Sequence, residues 1–219
     1  MIVNNYNNRL YGRKRGRNKK KITIDDYQKL ISNYTFSQFK VSKNYILDIG
    51  SGYGETTVYL AKKFPKYQIL ACEKYIEGNL NLLKQIKIYQ IKNISIYSGN
   101  VYDVFNKYSL SGIFHTVWIF FPDPWPKKKH FKRRLISKSF FEKIYPLMKN
   151  SGEITITTDS VSYSRSIINT LYECKNLFNW KNQGSGYLDI KDYYDLETKF
   201  YKKAIISGRN SSIFIIEKI

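Results

Sequence analysis

At 219 residues the chain is long enough for one domain with a full core and too short for two substantial ones. Its 37 Lys and Arg against 17 Asp and Glu give a formal charge of +20, far beyond what solubility requires, which points to a polyanionic partner, nucleic acid ahead of an anionic membrane surface. Two cysteines without CxxC or metal-ligand spacing, no apolar signal segment and no window near about 18 unbroken apolar residues speak against a secreted disulfide fold, a metal site and a membrane span. The expected location is therefore the cytoplasm.

Residues 1 to 21 are polar, then densely basic, and carry no periodic apolar face, so they read as a tail that is disordered alone and orders on a phosphate backbone. Arg13, Arg15 and Arg17 are its candidate phosphate ligands, and residues 22–219 form the single folded domain. TIDDYQKLI, from Thr23, offers a Thr cap before a short helix.

Tyr45 to Asp48 is a short apolar strand, followed by Gly50, Gly52 and Gly54 and then by the helical pattern TTVYLAKKF. A strand, a glycine turn and a helix N-terminus bring backbone N–H groups close to a ligand. The third glycine of a dinucleotide GxGxxG is replaced by Glu55, which disfavours a pyrophosphate cradle and an NAD oxidoreductase. QILACE ends at Glu73, where an acid can hold a ribose hydroxyl pair. A helix over about 76–89 leads to the strand NISIYSGN, ending at Asn100 with Asp103 just behind.

TVWIF, Thr116 to Phe120, reads as a strand covered on both faces. It runs into FPDPWPKKKHFKRR, where Pro122, Pro124 and Pro126 stop the strand and hold Asp123 in a stiff turn. Lys127, Lys128, Lys129, Lys132, Arg133 and Arg134 follow as candidate phosphate ligands, with His130 as a further phosphate donor. Trp125 is either a base-stacking platform or an apolar plug at the strand end, and His115, at the far end of the strand, is structural. Asp48, Glu73, Asn100 or Asp103, and Asp123 thus put polar groups at the carboxyl ends of four successive strands, a cleft suited to an adenosine-type ligand.

LISKSFFEKIYPLM reads as a helix, EITITT as a strand from Gly152 to Asp159, 160–178 as a helix, and YKKAIIS and SIFIIEKI as two closing strands. Strands alternating with helices predict an α/β, Rossmann-like doubly wound sheet, mostly parallel, seven-stranded, with an antiparallel C-terminal strand.

Asp48-x-Gly50-x-Gly52-x-Gly54 with Glu73 resembles the S-adenosylmethionine-dependent methyltransferases of the Rossmann-like class. FPDPWPKKKHFKRRL, TTD ending at Asp159 and TKF at Thr198 to Phe200 resemble the bacterial tRNA (guanine-N7)-methyltransferase family. The resemblance implies that Asp48, Gly50, Gly52, Gly54, Glu73, Asn100 and Asp123 form the S-adenosylmethionine site and that Asp123 is catalytic. It also implies that Lys127, Asp159, Thr198, Lys199, Phe200 and Tyr201 bind substrate, with Tyr201 standing where the family usually has Glu. The implied partner is tRNA, bound without a metal or membrane by a monomer or homodimer. Two alternatives stand beside it: a methyltransferase acting on an exocyclic base amine, and a non-enzymatic RNA-binding module.

Overall fold

In the structure of the chain, a computed structural model, residues 11, 14, 23–40, 42–107, 111–184 and 189–219 are described. Arg13, Arg15 and Arg17 lie outside the described residues. The expected tail is therefore represented only by Tyr11 and Lys14.

Thr23 begins the folded part by accepting the Asp26 amide at 3.1 Å, which caps α1 (Ile24–Ile31). The elements then alternate as β1 (Tyr45–Ile49), α2 (Glu55–Lys63), β2 (Gln68–Cys72), α3 (Ile76–Ile88), β3 (Ile94–Tyr97), α4 (Val101–Lys107), β4 (Phe114–Phe120), α5 (Lys138–Ile144), β5 (Met148–Thr158), α6 (Val161–Glu173), β6 (Phe178–Trp180), α7 (Lys199–Ile206) and β7 (Ser212–Lys218). The sheet order is β3-β2-β1-β4-β5-β7-β6. Pairs among β3, β2, β1, β4 and β5 are parallel, and β7 runs antiparallel to both β5 and β6.

β1 is buried along its whole length because helices cover both faces of the sheet. Phe140, Phe141, Tyr163 and Ile167 pack on one face from α5 and α6, together with α4. Val58, Leu60, Leu82 and Ile86 pack on the other from α2 and α3, joined by Tyr201 of α7. Strand order reverses between β1 and β4, so the loops after these two strands splay to opposite faces and leave a crevice at their carboxyl ends.

Two sequence expectations are corrected. Tyr201–Ser207 was expected as a strand, yet it belongs to α7: Thr198 accepts the Tyr201 amide at 3.1 Å and caps a helix whose buried Tyr201 and Ala204 fall three residues apart, while Ile205 and Ile206 face outward. The expected helix over 160–178 stops at Glu173, and Phe178 opens β6. The sheet still has seven strands, with β6 in place of the misread segment.

Candidate active site

The turn after β1 passes through Gly50, Gly52 and Gly54, all at positive φ. Gly54 is fixed by packing, because a Cβ there would lie 2.7 Å from Leu82 Cδ1 on α3. Gly78 on α3 is fixed by the turn itself: its Cβ would meet the Gly52 carbonyl at 2.2 Å. The sequence reading did not single out Gly78, since a lone glycine inside a helical pattern carries no local signal.

Glu73 follows β2 and gathers three amides. The Gly52 N–H donates to Oε2 at 3.0 Å, and the Lys74 and Tyr75 N–H groups donate to Oε1 at 2.7 and 2.8 Å. The carboxylate thereby ties the glycine turn to the end of the neighbouring strand. Behind it the buried Asn79 amide donates to the Glu73 carbonyl at 3.0 Å, a support the sequence reading also missed.

On the other side of the crevice, the Phe121 N–H still pairs with the Thr157 carbonyl at 3.0 Å before the chain turns. Phe121 and Trp125 have φ of 49° and 43°, left-handed values that bulky residues rarely adopt. Between them, Pro122 and Pro124 hold Asp123 outward and exposed. Arg134 supports the turn from below: Nε donates to the Pro124 carbonyl at 2.9 Å, and the terminal nitrogens donate to the Ser162 carbonyl and hydroxyl at 3.0 and 2.9 Å. Its guanidinium also lies 3.7 Å from the Phe131 ring centre. Arg134 is only 6 % exposed. The expectation that it grips a phosphate is corrected, because its donors are directed at the protein.

These parts enclose a cavity of about 630 Å³. Gly50, Gly52, Glu73, Asp123, Arg133 and Phe200 all line it, which joins the glycine turn, the acidic turn and the start of α7 in one site. Tyr11 lines it too, with its ring edge-on to Trp125 at 6.0 Å, and the Arg133 guanidinium lies 4.9 Å from the Tyr11 ring and 5.0 Å from the Trp125 ring. On the opposite rim the Ile76 N–H donates to the Lys14 carbonyl at 3.1 Å.

Other expected site residues stand back from the cavity wall. Asp48 is 1 % exposed and accepts the Thr57 hydroxyl at 2.6 Å beneath the glycine turn. Burial pushes its carboxyl up to about 7, against the Thr57 hydrogen bond and with a smaller contribution from the negative Glu73. Asn100 accepts the Tyr102 amide at 3.0 Å and caps α4, while its neighbour Gly99 reaches the cavity. Asp159 pairs with Arg209 at 2.8 Å, bringing the end of β5 against the loop after α7. Thr198 is buried as the α7 cap. The Lys199 N–H donates to Glu55 Oε2 at 3.1 Å and its ammonium sits 4.6 Å from the Tyr53 ring centre.

Tyr201 is a second correction to the site. It points into the core at 6 % exposure, and burial raises its hydroxyl to about 12. That orientation removes it from the substrate contacts expected of its segment, whose exposed members are Lys199 and Phe200.

The basic run leaves the cavity as a 3₁₀ turn over Lys128–Arg133. Lys127, Lys128, Lys129 and Lys132 are exposed. Partial desolvation, then the charges of Arg133, Lys129 and Lys127, lower the pKa of His130, which makes it a weaker phosphate donor than the sequence suggested. His115 stacks on Tyr67 at the amino end of β4, away from the cavity. Among the described residues no group of three or more His, Cys, Asp or Glu could hold a metal ion, and no helix is long and apolar enough to cross a membrane.

Residues 42–212 match a family described as putative methyltransferase. The chain is 36 % identical over 163 residues to the tRNA (guanine-N(7)-)-methyltransferase of Buchnera aphidicola subsp. Baizongia pistaciae, covering 74 % of this chain and 66 % of the relative. It is 30 % identical over 165 residues to the protein of that name from Neorickettsia sennetsu, covering 75 % of each. Among solved structures, a putative methyltransferase from Streptococcus mutans in complex with SAH superposes with a TM-score of 0.53 at 14 % identity, over 92 % of this chain and all of that one, a likeness of fold. Matched along most of its length by relatives of that kind, the chain belongs to the tRNA (guanine-N7)-methyltransferase family.

Proposed function

We propose that the protein transfers a methyl group from S-adenosylmethionine to N7 of a tRNA guanine, giving N7-methylguanosine, and that the target is the variable-loop guanine. It acts in the cytoplasm as a monomer or homodimer. The observation that carries the reading is the convergence of Glu73, the glycine turn, Asp123 and Phe200 on one cavity. Its volume of about 630 Å³ suits a ligand of cofactor size.

The residues present fit the cofactor. Glu73 presents carboxylate oxygens at the end of β2, where ribose hydroxyls can replace backbone amides as partners, and the turn past Gly50 and Gly52 lets a ligand approach the backbone. Asp48 acts from beneath by holding Thr57 and the start of α2. Bound S-adenosylmethionine supplies an electrophilic methyl group on a sulfonium.

Guanine N7 carries an exposed lone pair at neutral pH, so the step needs alignment and no base to remove a proton. Asp123 accepts the N1–H and N2–H₂ donors of guanine, orients the ring and favours the positive charge that develops on it. Phe200, half exposed at the cavity wall, is placed to stack on the base. Lys127, Lys128, Lys129 and Lys132, together with the basic tail over residues 1–21, hold the phosphate backbone. Lys199 and Asp159 with its partner Arg209 shape the outer rim.

Incubation with labelled S-adenosylmethionine and unmodified tRNA, followed by nucleoside mapping, tests this. N7-methylguanosine is expected. A methylated exocyclic amine, or tRNA binding without methyl transfer, would establish one of the alternatives instead.

A further inference from the structure

A second cavity, of about 360 Å³, opens behind the first. Arg133 and Leu135 line both, so the two are separated by a wall one segment of chain thick. The walls also include Arg134, whose donors are turned to the protein, Lys132 in the 3₁₀ turn, Lys138 and Ser139 at the start of α5, and Ser166 and Thr170 on α6. Among the described residues that line it, Glu173 is the one acid, and it is exposed. Lys138 reaches Glu142 only at 3.9 Å, with both side chains more than half exposed, a pairing that leaves its charge available.

Lys132, Arg133 and Lys138, set around walls that carry the Ser139 and Ser166 hydroxyls, match a singly charged phosphodiester, which takes hydrogen bonds from both kinds of group, while the Thr170 hydroxyl is already spent on the Ser166 carbonyl. An apolar ligand would leave those hydroxyls unpaired, and a metal cation would be repelled by Lys132, Arg133 and Lys138. We propose that this notch holds a phosphate of the RNA backbone next to the target nucleotide, so that base and backbone are fixed on the two sides of Arg133. The proposal rests on tRNA being the substrate. It assigns a binding role to Lys138, Ser139 and Ser166, which lie beyond the basic run read from the sequence.

The test uses the full-length protein and unmodified tRNA, with binding measured across a range of salt. Lys138→Gln should lower the slope of log K against log salt by about 0.7 to 0.9. Ser139→Asp puts a carboxylate on the wall and should weaken tRNA binding about tenfold; an acid in the first turn favours α5, so loss of folding is not the expected cause. Lys66→Gln, in the turn between α2 and β2 at the opposite end of the sheet, controls for loss of any single charge. KM for S-adenosylmethionine should be unchanged in all three. If Lys138→Gln and Ser139→Asp match Lys66→Gln in both slope and affinity, the notch is overturned. Binding decides this independently of chemistry: wild-type protein that binds tRNA but forms no N7-methylguanosine fails the functional reading, and the salt slopes still decide the notch.

Discussion

Arg134 donates through Nε to the Pro124 carbonyl at 2.9 Å, so the last residue of the basic run supports the acidic turn ten residues before it. Arg134→Met removes this bond and those to Ser162, leaving two carbonyls without their cationic donor. A loss of about 2 to 4 kcal/mol is expected, read from the denaturant midpoint. Arg134→Lys keeps the charge but cannot reach acceptors on both sides with a planar fork. It should lower kcat more than it raises KM for tRNA, because Asp123 loses its support while the exposed lysines remain.

Asp123→Asn replaces an acceptor-only group with one that also presents N–H donors to guanine N1–H and N2–H₂. Single-turnover methyl transfer should slow by about a hundredfold or more, the scale on which loss of one preorganised electrostatic group acts. Affinity for tRNA, measured by filter binding, should stay within about twofold, since phosphate contacts dominate it. Equal losses in rate and affinity would remove Asp123 from the orienting role.

Gly78→Ala tests the contact between α3 and the glycine turn. The new methyl would lie 2.2 Å from the Gly52 carbonyl, so either the turn or the helix must move. Calorimetric titration should show S-adenosylmethionine binding weakened by tenfold or more, with circular dichroism close to wild type.

Asp48 sets a pH dependence of stability. Its folded value of about 7 lies above the ordinary 3.8, so the native state binds the proton more tightly than the unfolded chain. The stability associated with that proton is fully present below about pH 4 and is lost as pH rises toward 7. Asp48→Asn keeps an oxygen for the Thr57 hydroxyl and removes the charge. Relative to wild type it should gain stability steadily between pH 4 and 7 and hold that gain at pH 8, as thermal unfolding across the range would show.

How much of this was legible in the sequence depended on where the signal was local. β1 and β4 announced themselves as unbroken apolar runs, and Glu73, Asp123 and the glycines followed from strand ends and turn chemistry. Phe178–Trp180 carries no run of its own and becomes a strand only because β7 offers it a partner. Tyr201–Ser207 was misread because Ile205 and Ile206 suggest a strand, although both are exposed and the helix follows from its Thr198 cap. Within the basic run, Arg134 looks like its neighbours, and its separate role needs the carbonyls of Pro124 and Ser162, the latter supplied by a distant helix. Gly78 and Arg209 were illegible for the same reason, since each matters through a residue far away in sequence.

Phe121 and Trp125, both left-handed and neither a glycine, carry a further consequence. Each such residue costs about 1 to 3 kcal/mol, so the segment that presents Asp123 is held against its own preference. Glycine at either position would relieve the strain but give up the packing of Phe121 on the core and of Trp125 on Tyr11 and Arg133. The same two rings that stabilise the fold therefore hold the angles that present Asp123, and removing either should cost stability and turnover together.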